Sequence, residues 1–173
     1  MQGKLDFNQS LEERIHFLKD LPLEVLEKVR QSITFTPGAR ELCRALKRLG
    51  FKLAVVSGGF TPFANYVKHE LGLDYAFANN IEEDRPRSCL TGNLCGTIVN
   101  AARKVDLLET IAQAENIPID QVIAVGDGAN DLPMLNRAGM GVAFNAKPKV
   151  QEEVRHPCLC GIFLIYIGSM SCQ

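Results

Sequence analysis

With 173 residues, the chain suits one domain, or one domain with a small appendage. Hydrophobic residues make up 46% and charged residues 23%, the balance of a globular protein that buries a core. A formal net charge of -1 excludes a broad field drawing nucleic acid or anionic membrane. The row Arg40, Arg44, Lys47 and Arg48 reads as a solvated helix face rather than a phosphate tract. The polar start MQGKLDFNQSLEER has no apolar core of signal-peptide length. Nor does any apolar run approach the roughly 18–20 residues of a spanning helix, so a cytoplasmic chain without nucleic-acid or membrane partners is expected. Six cysteines, Cys43, Cys89, Cys95, Cys158, Cys160 and Cys172, form no CxxC pair. Cys158 and Cys160 make a CxC without accompanying ligands, and free thiols are expected.

In chain order, SLEERIHFLKDLPLEVLEKVRQS (10–32) has a helical pattern with Ser10 and Glu13 placed as a capping box. Pro22 divides it into two short helices. Thr36-Pro37-Gly38 is a turn opening a helix over 39–49, and Gly50 stops that helix. FKLAVV (51–56) is an apolar strand ended by Ser57-Gly58-Gly59. A helix over 62–71 closes at Gly72, and 75–78 is a further strand. Residues 80–97 form an exposed excursion, with a hairpin around Thr91-Gly92-Asn93. A helix over 101–115, a strand over 121–125, a helix over 130–137, a short strand over 141–144 and a helical start at 147–154 complete the order. Strands alternating with helices at this spacing predict an α/β fold, a Rossmann-like parallel sheet flanked by helices.

In open parallel sheets, ligands bind beyond the carboxyl ends of the strands. Two such ends here are polar and glycine-rich, VVSGGF and VGDGAND. Ser57 there can donate its hydroxyl to a phosphate oxygen beside the amides of Gly58 and Gly59, or the triplet is simply a tight turn. Asp127 ends a strand, where a hard cation finds an oxygen ligand. Asp131, four residues later, either orients a metal-bound water or a neighbouring side chain, or simply favours a helix N-terminus. Asn130 crowds the same turn. Lys104 is either a solvated lysine or, from the helix that precedes the GDGAND strand, a charge reaching the same cleft.

These stretches together resemble motifs two, three and four of the haloacid dehalogenase superfamily: SGG, the lysine of IVNAARKVDLLETIA, and GDGANDLPML. Within it the match is closest to the phosphoserine phosphatase family. GNLCGTIVNAARK resembles that family's hairpin and the run into its lysine, and GVAFNAKPKVQ the strand and helix after motif four. MQGKLDFNQSLEERIHFLKDL resembles its small helical cap, and the similarity covers roughly residues 1–151. The resemblance implies a partial cap over 1–33 and an α/β core over 34–173. It implies Ser57 and Gly58 binding the phosphoryl group, with Gly59 shaping the loop. It gives Lys104 the phosphate and the nucleophile, Asp127 a Mg²⁺ ion, Asp131 its water shell, and Asn130 the phosphate end. Phe7 shields the site, and Arg14 pairs with the substrate carboxylate, a task suited to its bidentate fork. The implied reaction is hydrolysis of O-phosphoserine to serine and phosphate through an aspartyl-phosphate, the last step of serine biosynthesis.

The sequence departs from the family first in that no DxDx(T/V) occurs in it. Asp6, Glu12 and Glu13 do not supply that motif, so the nucleophilic aspartate and the first core strand are read as missing, and low activity is expected. The tail RHPCLCGIFLIYIGSMSCQ only loosely resembles the family's closing strand. Two alternatives follow. One is a non-catalytic fragment that binds phosphate, a partner or another copy through an open sheet edge. The other is a phosphatase for another small phosphomonoester.

Overall fold

The computed structural model describes residues 7–154. The CxC pair, Cys172, the acidic Asp6 and the divergent tail all lie outside them. Seven helices and five strands occur among the described residues: α1 Phe7–His16, α2 Glu24–Ser32, α3 Ala39–Arg48, β1 Ala54–Phe60, α4 Thr61–Leu71, β2 Tyr75–Asp84, β3 Cys89–Cys95, α5 Ala101–Ala114, β4 Ile123–Gly126, α6 Leu132–Arg137, β5 Met140–Ala143 and α7 Pro148–Glu153.

The α/β architecture is as expected, but the strands form two hydrogen-bonded groups rather than one ladder. β1, β2 and β3 make one sheet and β4 and β5 another. β1 runs parallel to β2, and β4 parallel to β5. β2 continues antiparallel into β3. One apolar cluster nonetheless joins the two groups. Ala54 and Val56 of β1 share it with Ala124 of β4, Leu107, Leu108 and Ile111 of α5, and Met134 and Leu135 of α6. Leu108 and Leu135 are fully enclosed, and each such side chain contributes about 1.5–3 kcal/mol over remaining exposed. A second cluster packs Cys43 and Leu46 of α3 against Val55, Ala64, Val67 and Leu71. β1 is therefore covered on both faces, which explains the continuous apolar run LAVV before the serine.

Three local expectations are corrected. Ser10 lies inside α1, so it forms no capping box with Glu13. The strand that was to stop at Ser57 runs on to Phe60, with a register shift between Val56 and Phe60 where the glycines lie. The hairpin turns at 85–88 rather than at Thr91-Gly92-Asn93, which sits within β3. Asp84 Oδ1 accepts from the Arg87 N–H at 3.2 Å, and Ser88 takes a left-handed φ of 52°. The Asp-Arg-Pro-Arg-Ser stretch thus supplies its own turn chemistry.

The first helix is not a loose appendage. After the break at Pro22, which bridges to Cys89, residues 20–23 pair along β3. Asp20 N–H donates to Leu90 O at 2.9 Å, Leu90 N–H to Leu21 O at 2.9 Å, and Leu23 N–H to Ser88 O at 3.0 Å. Leu11 and Ile15 bury their side chains beneath α1. Gly92 permits the approach: its φ is +80°, and a Cβ there would lie 2.8 Å from Lys19 Cβ.

Candidate active site

β1 carries Ser57, Gly58 and Gly59 just before its last residue, Phe60, and β4 ends at Gly126. Ser57 is 5% exposed, and its Oγ accepts the Gly59 N–H at 3.0 Å. That bond folds the loop back on itself and leaves the hydroxyl proton to donate outward. It also differs from the expectation that the Gly59 amide faces a ligand. Gly58 lies beneath the Phe7 ring, whose Cζ would be 3.6 Å from an added Cβ.

At the other strand end, Asp131 organises the turn. Its Oδ2 accepts the backbone N–H groups of Asp127 at 3.2 Å and Gly128 at 3.1 Å. Its Oδ1 accepts from Lys104 Nζ at 2.6 Å. Both side chains of this ion pair are 1% exposed. Lysine is almost never fully buried without a partner, so Lys104 is no solvated helix residue. Asp131 both pairs with the Lys104 side chain and stands at the N-cap position of α6. Gly126 makes room, since a Cβ there would fall 2.6 Å from Asp131 Cβ.

Lys104 reaches this point because α5 starts correctly. Asn100 caps the helix, its Oδ1 accepting the Arg103 N–H at 3.0 Å. Lys104 then lies one turn inside, its N–H donating to Asn100 O at 3.0 Å. Phe7 and Arg14 are seven residues apart on α1, a spacing that puts both on one face. Arg14 Nε donates to Ser10 O at 3.1 Å.

All nine residues singled out from the sequence line one cleft of about 330 Å³: Phe7, Arg14, Ser57, Gly58 and Gly59 meet Lys104, Asp127, Asn130 and Asp131 there. The size suits a small organic ligand. Sequence reasoning missed the apolar part of the wall, Val29 of α2 and Ile33 just past its end, with Phe60 and Phe63. The i, i+4 spacing of Val29 and Ile33 was a readable signal. Phe60 and Phe63, with ring centroids 6.2 Å apart, had only their position after the glycines.

The donor set bears on a metal. Both Asp131 oxygens hold hydrogen bonds to protein, and Asp127 is the other carboxylate lining the cleft. No group of three or more His, Cys, Asp or Glu gathers among the described residues. Mg²⁺ is commonly held by one or two carboxylates, with water and substrate phosphate completing its shell. An open site of that kind, rather than a closed cage, is what a carboxylate such as Asp127 at the cleft would suit.

A cleft at the carboxyl ends of parallel strands, with a buried lysine–aspartate pair beside a serine–glycine loop, is the ligand-site geometry of an open α/β protein. The sequence matches the family model described as haloacid dehalogenase-like hydrolase over residues 1–139. A phosphoserine phosphatase of Methanocaldococcus jannaschii is 47% identical over 153 residues, 88% of this chain and 72% of the relative. The chain belongs to the haloacid dehalogenase-like hydrolase family.

Other relatives are longer. The phosphoserine phosphatase of Archaeoglobus fulgidus is 51% identical over 152 residues, 88% of this chain and 44% of its own length. Among solved structures, a probable phosphoserine phosphatase from Vibrio cholerae superposes with a TM-score of 0.83 at 47% identity, covering 89% of this chain and 47% of that one. A substrate-bound phosphoserine phosphatase complex gives 0.81 at 44% identity, covering 95% and 74%. The chain spans about half the length of several curated relatives it matches.

Proposed function

We propose that the chain forms the phosphate-recognising part of a phosphoserine phosphatase. The observation that carries this reading is the meeting of all nine residues in one cleft. The Ser57 hydroxyl donates to a phosphoryl oxygen beside the Gly58 backbone, and Gly59 keeps the loop in shape. Lys104, held by Asp131, sets a fixed positive charge against the same group. A preorganised, water-poor cation stabilises developing charge without reorganising. Asn130 closes the phosphate end. Arg14 takes the substrate carboxylate at the cleft mouth, and Phe7 covers the loop from water. Asp127 is the residue that would hold Mg²⁺, which when bound neutralises charge on the phosphoryl oxygens.

Hydrolysis through an aspartyl-phosphate needs a carboxylate aimed at phosphorus. In this assignment Asp131 serves Lys104, Asp127 serves the metal, and no DxDx(T/V) occurs in the sequence. The 173-residue chain is therefore expected to bind O-phosphoserine with little turnover. Calorimetric titration with O-phosphoserine, inorganic phosphate and L-serine in Mg²⁺ buffer, beside a colorimetric phosphate-release assay, tests this. The expected result is binding of the two phosphorylated ligands and not of serine, with Arg14→Ala weakening O-phosphoserine more than phosphate. Equal weakening of both would point to a phosphomonoester without a carboxylate. Robust phosphate release abolished in Asp127→Ala would contradict the assignment of the two aspartates. Association of copies through the edges of β1 and β4, each bonded to one neighbour among the described residues, belongs to the same proposal. Size-exclusion elution above the 19.1 kDa chain mass at rising concentration is its expected sign, and a constant monomer its refutation.

A further inference from the structure

Asn79 takes no part in the site as described, yet it is one of four buried polar or charged residues among those described. The others are Ser57, Lys104 and Asp131, all of which line the cleft. Asn79 lies behind them in β2, 1% exposed, and its side chain has two partners. Its Nδ2 donates to Gly58 O at 2.8 Å. Its Oδ1 accepts the Val99 N–H at 2.7 Å. Gly58 is in the phosphate loop, and Val99 directly precedes Asn100, the cap of the helix carrying Lys104.

We infer that Asn79 is a positioning residue that fixes the distance between the serine–glycine loop and the lysine helix, and so sets the affinity of the cleft for a phosphoryl group. The apolar cluster holds the body of β1 against α5, and the Asn79 side chain adds hydrogen bonds at the loop and at the residue before the helix cap. β1 and α5 are separated in sequence by two strands and a helix. The loop itself lies where the β1–β2 ladder shifts between Val56 and Phe60, so the ladder does not pin Gly58. A primary amide is the right group. One planar side chain carries a donor and an acceptor, and it meets a backbone carbonyl and a backbone N–H that burial deprives of water. Aspartate lacks the donor, and leucine lacks both. The inference rests on the phosphate reading of the cleft, and the test separates the two.

Binding of inorganic phosphate to the 173-residue protein in Mg²⁺ buffer is measured by calorimetry for wild type, Asn79→Ala, Asn79→Asp and Val67→Ala. Val67 packs in the second apolar cluster and is not among the residues lining the cleft, so it serves as a control for lost stability alone. Amide hydrogen exchange is followed on the same four proteins. Both Asn79 variants are expected to weaken phosphate roughly tenfold or more, the scale of an unmade buried hydrogen bond. Val67→Ala is expected to lower the melting temperature and keep wild-type affinity. Exchange at Val99 is expected to rise in Asn79→Ala and stay slow in Asn79→Asp, which keeps the acceptor. Wild-type affinity in folded Asn79→Ala overturns the inference. So does unchanged exchange at Val99 in that variant, a readout that stands even if the wild-type protein binds no phosphate. Absence of wild-type binding, by contrast, overturns the functional reading and leaves the clamp to be judged on exchange.

Discussion

Lys104 and Asp131 are the residues whose environment says most. Their ion pair is 2.6 Å long and shut off from water. Removing one partner of such a pair leaves the other as a buried charge, which costs about 3–5 kcal/mol. Lys104→Met is therefore expected to lower the unfolding free energy by about that much and to abolish phosphate binding, as read from urea melts and calorimetry. A variant of wild-type stability would mean that the pair is solvated in solution. Asp131 was legible because an apolar strand stops shortly before it, and Lys104 because its helix precedes that strand. Asn79 was not. It lies inside YAFANNIEED, where two asparagines read as the end of a strand, and only the fold shows that one of them faces inward.

Among the elements, β3 and α1 depend on each other. The sequence stretch Thr91-Gly92-Asn93 looks like a hairpin turn, but Gly92 is used for close approach of the segment after α1. Its positive φ and the 2.8 Å separation from Lys19 Cβ leave no room for a side chain. Gly92→Ala is expected to cost about 1–3 kcal/mol through overpacking and backbone strain. It should also loosen α1, and with it Phe7 and Arg14, so O-phosphoserine binds more weakly while inorganic phosphate is less affected. Equal affinity for O-phosphoserine in the variant, measured by titration, would show that the cleft does not need α1 docked. Strand and helix order followed from the apolar periodicity. Hairpin placement did not, because turn-forming residues also serve sites of close packing, and local sequence does not distinguish the two uses.

For the whole molecule, charge pairs tie distant segments together on the surface. Lys47 Nζ bonds Asp74 at 2.6 Å, Arg40 bonds Glu70 at 2.6 Å, and Lys52 bonds Glu115 at 3.1 Å. Burial alone would raise the Asp74 carboxyl, but the bonds from Lys47 and the Leu53 N–H outweigh it and hold it below its usual value. Arg40 lowers Glu70, and Tyr75 with Lys52 lowers Glu115. Arg30 and Gln31 bring Glu27 from 4.5 down to about 2. A carboxyl depressed in the folded state binds fewer protons than when unfolded, so stability rises with pH across its range. The contribution is complete above the ordinary carboxylate values and is lost as pH falls through the depressed ones. Acid titration followed by circular dichroism is expected to show constant stability above about pH 5 and a fall toward pH 2. A loss of stability beginning near neutrality would contradict these pairings.

That the two strand ends face one cleft was expected from the polar, glycine-rich turns that end both apolar runs. The gap between the β1–β3 and β4–β5 ladders, and the asparagine clamp spanning loop and helix, required the fold. The most direct test follows backbone amide resonances of the 173-residue protein while O-phosphoserine is added in Mg²⁺ buffer. The amides of residues 57–59 and of 126–131 are expected to shift together, along a single saturation curve. Movement of one group alone, or of neither at millimolar ligand, would contradict a shared phosphate cleft.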